Sequence, residues 1–574
     1  MSSSHAQTEP APLAVPALRV GIIGSGPTAL YTLKALLRHG APLEIVLFEA
    51  GTVAGPGIPF GEIGNGPEAL ANIAGIELPP VTETLNAWAL RQPRRRLVRW
   101  GIAGEAGDDR AFFPRRVLGY YFADQLDRLM ADAGPHRILL RRRCRVTDVV
   151  ARADGALLHW ADADGAGQER FDRLVIATGY RAPRRSRLEA AAKPTARTFG
   201  ILGSSLSAID AVMRLARRRG RFETVGGALR FTGDTDWHAT MLSRAGLLPE
   251  ADFWFPSPAE PLDLFTDAAL APLVNGRDGD LDAVFAVFAR QLAKLDPAYA
   301  AEIDLAHADA DSFAGRHFAR RMASDPWDWA RSDLAQARDS HRRHRVQPWR
   351  YAILRMHEAF GRIVPHLSAA DLARFDRGLK RCFTDNYAAV PHLSIKRLLA
   401  LHDAGVLDVA RLGADYRLIH AEAAPHWHLR GDSIDRRFEA IIDARGQPPL
   451  GLTDFPFPTL RLQLIAQAMA RGSDADEGLI PAPGFVIDDA DPALSRIHCL
   501  ALPFLLRRNP FVQGLVESAA LAEASVAAML TDAPAESDLA TLRRTIAELS
   551  ARMPVYCGQD GVITVPWRRS GAAA

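Results

Sequence analysis

The spacing of apolar residues divides the chain before any chemistry is considered. It opens on LRVGIIG, a run dense in Val and Ile that breaks at Gly24-Ser25-Gly26-Pro27-Thr28-Ala29. LYTLKALLRHG then carries Leu and Ala at helical spacing, and PLEIVLFEA returns to a buried-strand pattern ending in Glu49. Strand, small-residue turn, helix and strand make one βαβ unit. The same order recurs in ARTFGILGSSLSAIDAVMRLARRRG, with WHATMLSRAGLLPE read as the next strand. Between the two, FDRLVIATGY reads as a buried strand leaving the first unit. From 251 to 390 strand alternation fades, and helical runs such as LDAVFAVFARQLAKL and YAILRMHEAFGRIV take its place. YRLIHAEA, WHLRG and FEAIIDARG read as short strands. CLALPFLLRRNPFVQGLVESAALAEASVAAML then closes the pattern with a long helix.

These patterns predict an α/β fold with two Rossmann-like dinucleotide-binding domains and a helical insertion. The expected parts are a leader (1–17), a first nucleotide domain (18–190) and the first part of a second (191–250). A helical lid follows (251–390), then the return of the second domain (391–440) and of the first (441–532). A C-terminal helix and tail (533–574) end the chain. A length of 574 residues agrees with several domains.

Composition narrows the function. Lys and Arg number 69 against 67 Asp and Glu, a net charge of +2, so no basic face for nucleic acid or a membrane surface is expected. The four cysteines, Cys144, Cys382, Cys499 and Cys557, form no close pair, which argues against a dithiol centre and a metal site. Sparse cysteine, no apolar run of bilayer length and no signal-peptide pattern at the start predict a cytoplasmic protein.

The first turn has the form G-x-G-x-x-A. Gly24 permits the sharp bend, Gly26 lets the backbone approach a pyrophosphate, and Pro27 and Thr28 open the helix whose N-terminus faces the phosphates. Glu49, twenty-five residues beyond Gly24, is placed to accept hydrogen bonds from a ribose. In the second turn Gly203 and Ser204 keep the bend, but Ser205 replaces the second glycine, and Ser204, Ser205 and Ser207 offer hydroxyl donors. Arg244 stands where a 2′-phosphate reader sits, and no acid occupies the ribose position. The second nucleotide is therefore expected to be NADPH.

Further motifs resemble a family. AGPGIPFG (54–61), ALANIAGIELPP (69–80) and FFPRRVLGYYFADQL (112–126) are similar to segments of two-dinucleotide flavoproteins that include N-hydroxylating monooxygenases. The resemblance implies FAD at the first turn, in a domain of the glutathione-reductase type. It places Phe60 and Asn72 near the isoalloxazine ring, and Arg115 at the FAD phosphates or the active site. It also puts Phe511, Gly514 and Leu515 at a helix start facing reduced flavin. The combination of ANIAGIELPP, GSSLSAID, NYAAVPH and LPFLL…PFVQGL looks most like the bacterial branch that oxidises L-aspartate to nitrosuccinate through a C4a-hydroperoxyflavin. A dicarboxylate needs fixed cations; Arg342, Arg343, Arg345, Arg350, His392, Lys396 and Arg397 are offered near the lid, and Arg350, Lys396 and Arg397 are the foremost candidates. The expected partners are a small amino acid and dioxygen, with a homo-oligomer left open. A reductase or monooxygenase acting on a non-amine substrate is the alternative; the cysteine spacing argues against a disulfide reductase.

Overall fold

In the computed structural model the described residues are 17–62, 65–180, 195–420, 426–431, 433–475 and 478–530. Most of the expected leader, residues 181–190 and the C-terminal helix lie outside them. The first βαβ unit builds a five-stranded parallel sheet ordered Ile497–Cys499, Arg173–Ile176, Leu18–Ile23, Leu43–Phe48, Arg137–Arg141. Val20, Ile22, Ile45 and Leu47 are fully buried, as a parallel sheet covered on both faces requires. The helices Pro27–Leu36 and Leu515–Leu530 pack against each other on it, so chain segments almost five hundred residues apart complete one domain.

An antiparallel sheet of Arg145–Arg152, Gly155–Asp162 and Gly165–Phe171 joins this domain. Its signal lay in two Asp-Gly turns, Asp154-Gly155 and Asp164-Gly165, each a strong hairpin mark.

The second sheet is also parallel, ordered Leu407–Arg411, His238–Ser243, Thr198–Leu202, Ala440–Asp443. Two points differ from the expectation. A hairpin, Gly220–Val225 with Ala228–Gly233, stands between the helix and the strand His238–Ser243. It turns on Gly226 and Gly227 at φ of 59° and 81°, the two positive values a tight primed turn needs. The strand Ala440–Asp443 pairs with Phe199 to Leu202, so the second domain extends past the expected boundary at 440. Ala440 is buried in the same core as Ile201, which holds it there.

Between the halves of the second domain lies the helical middle domain. Its core is a cluster of Phe285, Phe288, Phe313, Phe360, Phe375 and Phe383, into which Phe511 of the last segment also packs. Ala251 and Val390 form a parallel bridge, so the domain's chain enters and leaves side by side. No helix among the described residues is long and apolar enough to cross a membrane.

Candidate functional site

The first turn is built by backbone demands. Gly24 has φ of +105°, and a Cβ there would lie 2.3 Å from the Ala177 carbonyl oxygen, at the end of the neighbouring strand. Gly26 faces Gly57 of the second glycine loop, and a Cβ on either would come within 3.3 or 3.1 Å of the other's Cα. Two glycines thus bring two loops into backbone contact. Glu49 is fixed from both sides: Ser25 Oγ donates to one carboxylate oxygen at 2.5 Å and the Gly51 N–H to the other at 2.5 Å. Each oxygen keeps a lone pair for a ribose hydroxyl.

These groups line a cavity of ≈ 2600 Å³. That exceeds the few hundred Å³ typical of one small ligand. Gly24, Gly26, Pro27, Thr28, Glu49, Phe60, Asn72 and Arg115 all contribute to its wall, as do Phe511, Gly514 and Leu515. The close approach of Gly26 to Gly57, the helix N-terminus and the tethered carboxylate fit a dinucleotide's pyrophosphate and ribose. Arg115 is not a free cation. It forms an ion pair with Asp210 at 3.2 Å, joining the first domain to the helix of the second. Phe511 is 6% exposed and packs edge-on against Phe375, Phe383 and Tyr387, so much of its role is to anchor the middle domain.

At the second turn, Gly203 has φ of +117° and a Cβ would stand 2.7 Å from the Ala444 oxygen. Ser205 and Ser207 open onto the same cavity, whereas Gly203 and Ser204 lie outside its lining. Ser205 precedes the helix Leu206–Arg217 in extended conformation, and its hydroxyl makes no cap bond. Arg244 is exposed just past the strand His238–Ser243 and is not part of the cavity wall.

The three cations expected to hold substrate do not line this cavity. Arg350 is 1% exposed and is consumed by structure. It pairs with Asp333 at 3.2 Å and Glu250 at 3.6 Å, donates to the Ala251 carbonyl and lies 4.4 Å over the Phe253 ring. A buried guanidinium without such partners would be very costly, so it has no freedom for a ligand. Lys396 lies outside the cavity wall, and Arg397 lines a separate pocket, donating to the Glu68 carbonyl. Helical pattern alone does not reveal partners at residues 250 and 333.

The middle domain supplies other groups instead. On the helix Pro348–Ile363, Arg355, His357, Glu358 and Arg362 face the cavity; Asn386 and Tyr387 come from the helix Leu379–Tyr387. Arg355 pairs with Glu358 at 2.9 Å and Arg362 with Asp267 at 2.8 Å. His357 Nδ1 sits 2.6 Å from the Leu354 carbonyl, which only accepts, so Nδ1 carries the proton and Nε2 keeps its lone pair. Burial lowers its pKa and keeps the ring neutral. Asn386 is 3% exposed, and among the described residues neither atom of its amide has a partner. Glu517, in the first turn of Leu515–Leu530, is pushed up to about 7 by burial, and Glu77 to about 8 by burial and the nearby Asp252 charge. Sequence reading missed all of these. The available signals were weak: Asn386 and Glu77 fall within the segments NYAAVPH and ALANIAGIELPP that carry the resemblance, and His357 within a helical run.

Comparison with known proteins places this geometry. A family model described as FAD-NAD(P)-binding matches residues 21–181, and one described as the YdhS-like middle domain matches 266–387. The chain is 39% identical over 535 residues to uncharacterized protein YdhS of Escherichia coli (strain K12), covering 90% of this chain and 98% of that one. It belongs to the YdhS-like family of FAD/NAD(P)-binding flavoproteins. The two matched parts of this chain, the first nucleotide unit and the helical middle domain, both line the main cavity. Among solved structures, an ornithine N-hydroxylase of Kutzneria sp. 744 is 14% identical, covering 90% of this chain and 99% of that chain at a TM-score of 0.45. DfoA, a cadaverine monooxygenase of Erwinia amylovora, is 14% identical with 90% and 98% covered and a TM-score of 0.46. The flavoprotein disulfide reductase RclA of Escherichia coli also matches, at 10% identity, 90% and 72% coverage and a TM-score of 0.35. Likenesses this distant say nothing of chemistry.

Proposed function

We propose that this flavoprotein is an FAD- and NADPH-dependent monooxygenase that oxygenates the amine of a small amino acid, with L-aspartate the first substrate to try. One observation carries the reading: a single cavity joins both nucleotide turns to a polar wall of the middle domain. Bound FAD would supply electron transfer from the reduced nicotinamide to dioxygen. Each round converts an amine, one dioxygen, one NADPH and a proton into an N-hydroxy product, water and NADP⁺. Further rounds, each using one NADPH and one dioxygen, would lead towards nitrosuccinate.

The residues divide the remaining work. Arg355 and Arg362 are each paired with one carboxylate of the chain but would offer their remaining donors to a substrate's carboxylates, and the Asn386 amide has hydrogen bonds to give and receive. An amino acid arrives as an ammonium ion and must lose a proton before its nitrogen can react. His357 Nε2 is a neutral acceptor in the same wall, and Glu358 beside it offsets the positive charge. The described cysteines Cys144, Cys382 and Cys499 are free and buried, which gives no support to a dithiol reductase.

The test is oxygen and NADPH consumption by the FAD-loaded full chain, with and without each amino acid, and mass detection of N-oxygenated product. If hydrogen peroxide accounts for all NADPH consumed whatever is added, the amine reading fails. Asn386→Leu gives a sharper version. Replacing an unpartnered buried amide with an apolar side chain should leave stability unchanged or raised. The same change should raise KM by about 10-fold or more, because a charged ligand loses a hydrogen bond. A lowered melting temperature with unchanged KM would show that Asn386 is structural.

A further inference from the structure

A second cavity, of ≈ 650 Å³, lies outside the nucleotide site, where all three domains meet. The helix Arg94–Trp100 and the loop after it form one side. Arg338 and His341 of the helix Pro326–Arg343 form another, and His392 and Arg397 of the helix His392–Asp403 a third. Five arginines line it: Arg99, Arg110, Arg116, Arg338 and Arg397. None of the five makes an ion pair among the described residues, although ion pairs hold many arginines elsewhere in the chain. Three carboxylates also line it. Asp252 is engaged by His341 at 3.0 Å, and Asp108 accepts from the Arg110 backbone N–H. Glu105 is exposed.

Two of the arginines are also held in place. Arg110 lies 5.3 Å over the Trp254 ring and donates to the Phe255 carbonyl. Arg397 donates to the Glu68 carbonyl at 2.8 Å and sits 5.8 Å over Phe222. The Nε of Arg116 is buried with no hydrogen-bond partner. Five guanidiniums outnumber the three carboxylates and pair with none of them, and a planar guanidinium with free donors matches phosphate or carboxylate oxygens. The volume suits one small molecule.

We infer that this junction is a binding site for a small polyanion, bearing phosphate or several carboxylates, separate from both nucleotide sites. A ligand there would bridge the three domains. It would also touch Arg116 and Asp252, which line the main cavity too, so its occupancy should be felt at the flavin site.

The experiment titrates the FAD-loaded full chain with pyrophosphate, citrate and 2′,5′-ADP by calorimetry at fixed ionic strength. Pyrophosphate or citrate should saturate one site, and whichever binds tells phosphate from polycarboxylate. Arg99→Ala with Arg338→Ala, both at exposed positions, should weaken that binding by about 10-fold or more. The double Lys variant should fall between, since charge remains but the bidentate fork is lost. Three results overturn the site: no saturable binding of either probe, binding unchanged in the double Ala variant, or competition by 2′,5′-ADP. The last would assign these guanidiniums to the coenzyme. All three are read without turnover, so they stand apart from failure of the monooxygenase reading.

Discussion

The two glycine turns are alike at their first residue and different at their second. Gly24 and Gly203 share a positive φ, and each presses against a carbonyl just past the neighbouring strand, Ala177 or Ala444. That bend is a requirement of the βαβ unit itself, so both turns keep it. The second position answers to the ligand. Gly26 meets Gly57 across a tight backbone contact that a Cβ would crowd, and Glu49 beyond it is tied down by two hydrogen bonds. Ser205 is exposed, its hydroxyl is free of a cap bond, and the cation beyond it, Arg244, stands in solvent. One turn is closed and preorganised; the other is open. A cofactor that stays and a coenzyme that exchanges would need this difference.

The largest effect should come from the shared position. Gly24→Ala forces a side chain into a positive-φ conformation, which costs about 1–3 kcal/mol, and drives its Cβ into the Ala177 carbonyl. Purified protein should lose its flavin and melt markedly lower, read from the flavin-to-protein ratio and thermal unfolding. Gly203→Ala meets a similar obstruction at Ala444 but should keep its flavin and lose coenzyme-driven reduction. If Gly203→Ala also strips the flavin, the two turns do not act independently and the comparison breaks.

That contrast was partly legible in the sequence. The turns, the helices behind them and Glu49 follow from local spacing, although the carbonyls that confine Gly24 and Gly203, those of Ala177 and Ala444, come from strands far along the chain. The substrate wall was not legible. Arg350 looked like a free cation because its partners, Glu250 and Asp333, lie on other segments that only the fold brings together. His357 and Asn386 were hidden for the converse reason: helical spacing does not tell that the fold buries the Asn386 amide without a partner among the described residues, or that it ties His357 Nδ1 to the Leu354 carbonyl. The three hairpins have local marks, two Asp-Gly turns and one Gly-Gly turn, but the βαβ pattern itself gives no sign of strands inserted into it.

A smaller effect is expected at the open turn's cation. Arg244→Ala should erase most of a preference for NADPH over NADH, about 10- to 100-fold in kcat/KM if the guanidinium meets a 2′-phosphate. Solvent and salt screen an exposed charge, so the preference should also shrink as ionic strength rises. Equal use of the two coenzymes by the wild type would remove Arg244 from the site and leave the second turn without a phosphate reader.

The smallest effect sharpens the comparison most. Ser205→Gly would restore the second glycine in the open turn, and Gly26→Ser would place the same side chain in the closed one. At the open turn two changes oppose each other. Removing the Cβ lets a pyrophosphate approach the backbone more closely, but it also removes a hydroxyl donor and makes the unliganded turn more flexible. Neither the helix start nor the core depends on Ser205, so unfolding should hardly change. The net change in KM for NADPH should be only a few-fold, within the about 0.5–1.5 kcal/mol of one neutral hydrogen bond. At the closed turn nothing opposes the loss. A Cβ at residue 26 would sit 3.3 Å from the Gly57 Cα, so the two loops would have to shift by a few tenths of an ångström, and flavin retention should drop. Equal, small effects of both substitutions on flavin content and KM would mean that the approach of Gly26 to Gly57 does not govern cofactor retention. A large loss confined to Gly26→Ser would show that the second position is where the chain separates a kept nucleotide from an exchanged one.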